Sequence, residues 1–72
     1  MNKICVIGLG RVGLPLSLSF ANKGFEVHGI DINENLISDL NKGKMPFIEK
    51  NADPLLKKTL NEKFFPSSNF SV

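Results

Sequence analysis

The sequence predicts an α/β fold on a parallel sheet, in the order β-α-β-α-α-β, with the last strand only begun. Three observations carry this reading. Short runs of β-branched residues alternate with stretches of helical periodicity. The first two runs stop abruptly, one at Gly8 and one at Asp31. A glycine-rich turn joins the first run to the first helix. At 72 residues the chain is one small domain at most, and its 42% apolar content allows a modest core. One cysteine excludes an internal disulfide, and no apolar run is long enough to span a bilayer. A net charge of +2, scattered along the chain, leaves no footprint for nucleic acid. The opening residues read as a strand, so no signal peptide is expected, and a cytoplasmic location is.

Lys3 to Ile7 contains the run Ile4-Cys5-Val6-Ile7, the pattern of a strand buried on both faces. Cys5 is then a small core residue, too enclosed to serve as a nucleophile. Leu14, Leu18 and Ala21 follow at helical spacing, with Leu16 and Phe20 widening the apolar stripe. Pro15 falls in the first turns, where backbone N–H groups lack partners anyway, and Gly24 is a natural stop. Phe25 to Ile30 reads as the second strand, and His28 within it as a packed or hydrogen-bonded residue. The second helix runs from Glu34 to Lys42, with Asn33 as N-cap, Gly43 as C′, and Leu36, Ile37 and Leu40 on one face. Residues 44–51 form a loop with two embedded hydrophobes. Asp53-Pro54 resembles an N-cap followed by the first helical residue, opening a third helix through about Asn61, with Leu56 and Leu60 turned inward. Phe64 to Asn69 reads as a turn, and Phe70-Ser71-Val72 as the start of a third strand. Two and a half strands do not finish such a sheet. The expectation is an incomplete N-terminal portion of a larger domain, occupying residues 1–72.

The chemistry lies in Gly8-Leu9-Gly10-Arg11-Val12-Gly13. A G-x-G-x-x-G turn alone is a weak signal. Here it follows an apolar strand, opens a helix, and is succeeded by an acidic residue, Asp31, at the end of the next strand. That combination is the Rossmann-type dinucleotide fingerprint. Gly8 permits the tight turn, Gly10 lets a pyrophosphate approach the backbone, and Gly13 allows close packing. The helix N-terminus supplies free N–H groups and a positive dipole end. Asp31 is placed to accept the adenosine ribose hydroxyls and to repel a 2′-phosphate, and no arginine follows it, so NAD is favoured over NADP, while FAD uses a similar fingerprint that the loop alone does not exclude. The expected cofactor-binding residues are Gly8, Leu9, Gly10, Arg11, Val12, Gly13 and Asp31. No catalytic constellation and no metal-ligand spacing rises above background.

The run KICVIGLGRVGLPLSLSF from Lys3 to Phe20 resembles the N-terminus of the UDP-glucose/GDP-mannose dehydrogenase family. The likeness continues through Val27-His28-Gly29-Ile30-Asp31-Ile32-Asn33, Leu40-Asn41-Lys42-Gly43 and Pro46-Phe47-Ile48-Glu49. Gly13-Leu14-Pro15-Leu16 is similar to the branch that oxidises UDP-N-acetylhexosamines. The resemblance implies an NAD-dependent oxidoreductase that converts the C6 alcohol of a UDP-sugar to the uronate with two NAD, in polysaccharide precursor synthesis. It implies a homo-oligomeric full-length enzyme whose thioester-forming cysteine lies beyond residue 72. Three positions depart from the family pattern. Arg11 stands where an aromatic residue is usual, Leu36 where a lysine is frequent, and Glu49-Lys50-Asn51 where Glu-Pro-Gly is common. Two other families share the turn. The nucleotide-sensing modules of potassium channels and transporters carry the same Gly-Leu-Gly-Arg-Val-Gly loop, but usually pass directly from the second helix to the third strand. Relatives of 6-phosphogluconate and 3-hydroxyacid dehydrogenases usually have methionine where this chain has Val12.

Overall fold

Sheet order follows chain order. The computed structural model describes residues 2–69, in which β1 (Lys3–Ile7), β2 (Glu26–Ile30) and β3 (Phe64–Ser67) lie side by side as parallel strands. Lys3 to Ile7 align with Glu26 to Ile30, and Val27 to Ile30 align with Phe64 to Ser67. The crossovers carry α1 (Gly13–Asn22) and the pair α2 (Glu34–Asn41) and α3 (Ala52–Thr59). Successive crossovers of one hand, moving in one direction along a sheet, place their helices on the same face. The core accordingly lies on one side. Leu14, Leu18 and Ala21 of α1, Ile37 and Leu40 of α2, and Ala52 and Leu56 of α3 close over Val27 and Phe64. Ile4 and Val6 of β1 pack against the same cluster.

The other face carries no helix among the described residues, although Ile30 at its C-terminal end is buried, and this corrects the expectation for β1. Lys3, Cys5 and Ile7 point there, and Ile7 is 70% exposed. Cys5 is an exposed thiol, because alternation sends every second residue of β1 away from the helices. On this face His28 is paired to Glu26, with Nε2 to Oε2 at 2.7 Å, and stacks on Phe65 with ring centroids 5.3 Å apart. Lys3 adds an ion pair to Glu26 at 3.7 Å. The histidine is thus a hydrogen-bonded strand residue, as its position suggests.

The helices largely obey their local signals. Asn33 caps α2 by accepting the Leu36 N–H at 3.1 Å, and the Gly43 N–H returns to the Leu40 carbonyl at 2.9 Å. In α1 the buried stripe includes Ser17 in place of Leu16. The Ser17 hydroxyl donates to the Gly13 carbonyl at 2.7 Å, whereas Leu16 is exposed. Phe25 lies just outside β2 and meets Phe20 edge to face.

Two elements differ from expectation. The third helix starts at Ala52, after Asn51 in a left-handed conformation (φ 65°), so Pro54 is its third residue and not its first. Pro54 is tolerated there because first-turn N–H groups have no helical acceptor. The helix ends at Thr59, with Leu60 as C-cap and Asn61 at φ 61°, short of the predicted end. The third strand occupies Phe64–Ser67, where a turn was expected from Phe-Phe-Pro-Ser-Ser. Pro66 cannot donate to a ladder, but among the described residues β3 pairs only with β2, and an edge strand tolerates the missing donor. Phe70-Ser71-Val72, the expected strand, lies outside the described residues.

Candidate functional site

The glycine turn connects β1 to α1 at the C-terminal edge of the sheet. Gly8 takes φ +95°, a conformation that disfavours any side chain, and its N–H donates to the Ile30 carbonyl at 2.7 Å. Gly13 begins α1 directly against the turn. A Cβ there would stand 1.9 Å from the Gly8 carbonyl oxygen, so glycine is obligatory for this closure. Gly10 differs from both. A Cβ on it would meet nothing within 4 Å, so the space beside its backbone is open. The N–H groups of Gly10, Arg11, Val12 and Gly13 have no backbone acceptor among the described residues. Four undirected donors around an open glycine, at the start of a ten-residue helix, form an anion cradle.

Asp31 closes the site from β2. Its Oδ2 accepts the Leu9 N–H at 2.9 Å and its Oδ1 accepts the Asn33 N–H at 2.9 Å. These bonds, with Leu9 first and Asn33 second, hold its carboxyl below the ordinary aspartate value. The carboxylate therefore does two things. It ties the glycine turn to the start of α2, and it keeps a fixed negative charge at the strand end with lone pairs to spare for two hydroxyls. Leu9 is consequently not one of the free donors. Its N–H belongs to Asp31, and its side chain is fully buried.

That burial explains a residue the sequence reading missed. A Cβ on Gly29 would stand 2.8 Å from both Leu9 Cδ2 and Phe64 Cε1. Gly29 makes room for the turn's own leucine to enter the core. A glycine inside an apolar strand is the only sequence sign of such an approach.

Two hollows flank the strand ends. One of about 340 Å³ lies between the glycine turn and α2, lined by Leu9, Gly10, Arg11, Asn33, Leu36 and Phe47 among others. Arg11 places its guanidinium carbon 5.2 Å from the centroid of the Phe47 ring. The other, of about 300 Å³, is apolar and lined by Ile7, Gly8, Ile30, Asp31 and Ile32. A larger hollow of about 570 Å³ sits between the ends of α2 and α3 and contains none of the predicted site residues. Val12 is 80% exposed beside the turn. All seven predicted residues thus fall on one edge of the sheet, and Phe47 joins them unpredicted.

Comparison with known proteins agrees with this geometry. Residues 2–71 match the model of the UDP-glucose/GDP-mannose dehydrogenase family, NAD binding domain. The chain belongs to that family. It is 40% identical over 67 residues to UDP-N-acetyl-D-mannosamine dehydrogenase of Campylobacter jejuni, an alignment covering 93% of this chain and 16% of that protein. Among solved structures, UDP-N-acetyl-mannosamine dehydrogenase of S. aureus superposes with a TM-score of 0.89 at 35% identity, over 94% of this chain and 16% of that one. The corresponding dehydrogenase of Pyrococcus horikoshii also gives 0.89, at 37% identity, over 93% and 16%. The chain therefore spans about one-sixth of the curated relatives it matches. This is a Rossmann-type NAD-binding domain of the family, and the cradle fits its cofactor: open space at Gly10, free N–H donors for a diphosphate, and an ionised Asp31 for ribose hydroxyls. The helix α3 is present between α2 and β3, where the channel-associated modules usually pass directly to the third strand.

Proposed function

We infer that this chain is the NAD-binding part of a cytoplasmic, homo-oligomeric nucleotide-sugar 6-dehydrogenase acting on a UDP-N-acetylhexosamine in polysaccharide precursor synthesis. The observation that carries the reading is the glycine turn pinned by Asp31, set in a chain whose similar proteins are named as UDP-N-acetyl-D-mannosamine dehydrogenases. The overall conversion takes the C6 alcohol, one water and two NAD to the carboxylate, two NADH and three protons. When bound, NAD supplies the hydride acceptor. Gly8 and Gly13 hold the turn in shape, and the N–H groups of Gly10, Arg11, Val12 and Gly13 receive the diphosphate. Asp31 accepts from the adenosine ribose and, by its charge, disfavours a 2′-phosphate. The sugar-binding and bond-making residues belong to other parts of the enzyme.

Two measurements test this. In amide NMR titrations of the chain, NAD is expected to shift Gly8 to Gly13 and Asp31 at lower concentration than NADP does. NAD binding is expected to be weak, because this edge supplies only part of a dinucleotide crevice. In the complete enzyme carrying this domain, two NADH are expected per UDP-N-acetylmannosamine consumed. Equal response to NADP, or one NADH per sugar, refutes the corresponding part of the reading.

A further inference from the structure

Phe47 belongs to the loop between α2 and α3, distant in sequence from the glycine turn, yet its ring lies under Arg11. Phe47 is half-buried and packed against the core cluster, so it is a fixed platform. Its neighbour Ile48 is 99% exposed, which shows that the loop turns Phe47 inward selectively. Arg11 is the one cationic side chain lining the hollow between the turn and α2. On the facing wall Leu36 brings no charge and Asp39 an acidic one, but Arg11 forms no ion pair with it among the described residues.

The mode of support matters. A carboxylate partner would occupy the guanidinium's N–H donors and neutralise its charge. Arg11 makes no such ion pair among the described residues. A ring under the guanidinium holds it through the π face and leaves the N–H fork free to donate in its own plane. Beside Gly10 stands a cation that is positioned, charged and still able to form hydrogen bonds.

We propose that Phe47 is a positioning residue of the cofactor site, propping Arg11 so that its guanidinium pairs with the diphosphate of the dinucleotide. This rests on the NAD reading above and extends it to a residue outside the glycine turn. The turn offers neutral N–H groups and a helix dipole. Arg11 on Phe47 adds the full positive charge a diphosphate calls for, by a bidentate pairing that N–H groups alone do not provide.

The test uses the whole chain and three probes: ADP, adenosine 2′-monophosphate and adenosine, titrated by amide NMR. Arg11→Gln is expected to weaken ADP by about tenfold or more, the scale of a charge-assisted hydrogen bond. It is expected to leave adenosine within about twofold, since adenosine has no phosphate. Phe47→Leu keeps an apolar platform without a ring and is expected to weaken ADP about threefold. Phe47→Tyr restores the ring and is expected to bind ADP as the unsubstituted chain does. That variant keeps the test decisive if Phe47→Leu loses its fold. If ADP binds the unsubstituted chain and Arg11→Gln alike, or if Phe47→Leu and Phe47→Tyr behave alike, the proposal is overturned and the NAD reading stands. Loss confined to adenosine 2′-monophosphate also overturns it, moving Arg11 to the ribose. If neither ADP nor NAD shifts the glycine turn of the unsubstituted chain, the NAD reading fails and takes the proposal with it.

Discussion

The two faces of this sheet are made of the same strands and differ in almost everything else. On the covered face Ile4, Val6, Val27, Gly29, Phe64 and Pro66 meet three helices, and steric fit governs which residue is admissible. On the open face Lys3, Glu26, His28 and Phe65 satisfy one another laterally, through an ion pair, a hydrogen bond and a ring stack, while Cys5 and Ile7 are exposed. Strand pairing is common to both, so the contrast isolates what packing adds to a ladder. It also shows that a short run of β-branched residues does not reveal how many of its faces are covered.

Adjacent residues give the sharpest way to break the comparison. Phe64 is fully buried and Phe65 is not, one position apart on the same strand. Phe64→Ala is expected to cost about 3–5 kcal/mol in denaturant unfolding, enough to unfold a domain this small. Gly29→Ala, an insertion of one methyl between Leu9 and Phe64, is expected to cost about 1–3 kcal/mol. It should also disturb the amide of Leu9 in NMR spectra, since that leucine shares the space. Phe65→Ala is expected to cost only about 1 kcal/mol, the value of its ring contact with His28. If Phe65→Ala is as damaging as Phe64→Ala, the open face is not open in solution.

Two smaller effects refine the picture. Asp31 has a depressed pKa in the folded chain, so its stabilising contribution is complete well above the ordinary value of 3.8 and is lost as pH falls through and below it. Glu26 is also depressed, chiefly by its bond to His28 and with help from Lys3, so acid weakens both the site edge and the open face. Melting curves of Asp31→Asn between about pH 5 and pH 2 should fall less steeply than those of the unsubstituted chain. An unchanged slope assigns the acid sensitivity to Glu26. Cys5→Ser is expected to change stability by no more than about 0.5 kcal/mol, and the native thiol should react with a disulfide reagent nearly as fast as in urea. Slow reaction would mean that Cys5 is covered.

Much of the site was legible because its signals are local. The G-x-G-x-x-G turn, Asn33 as cap, Gly43 after α2 and Asp31 at the strand end each declare themselves within a few residues. What escaped depends on contacts distant in sequence. Gly29 is explained only by Leu9 and Phe64 together, and Phe47 only by Arg11. The misplaced third strand has a different cause. Pro66 argues against a strand unless that strand is known to be an edge, and edge position is a property of the sheet. Asp53-Pro54 misled in the same way, since the helix had already begun at Ala52 behind a left-handed Asn51.

The bond from Leu9 to Asp31 has a consequence in time. A chain emerging from the ribosome delivers its glycine turn well before Asp31, and until Asp31 arrives the turn has no anchor. Because each strand pairs with its predecessor, no closure waits for a strand made later than the next one, and the structure can grow outward in the order of synthesis. The cradle then takes shape at one moment of that growth, when β2 docks beside β1 and Asp31, the residue that follows it, accepts the N–H of the second residue of the turn.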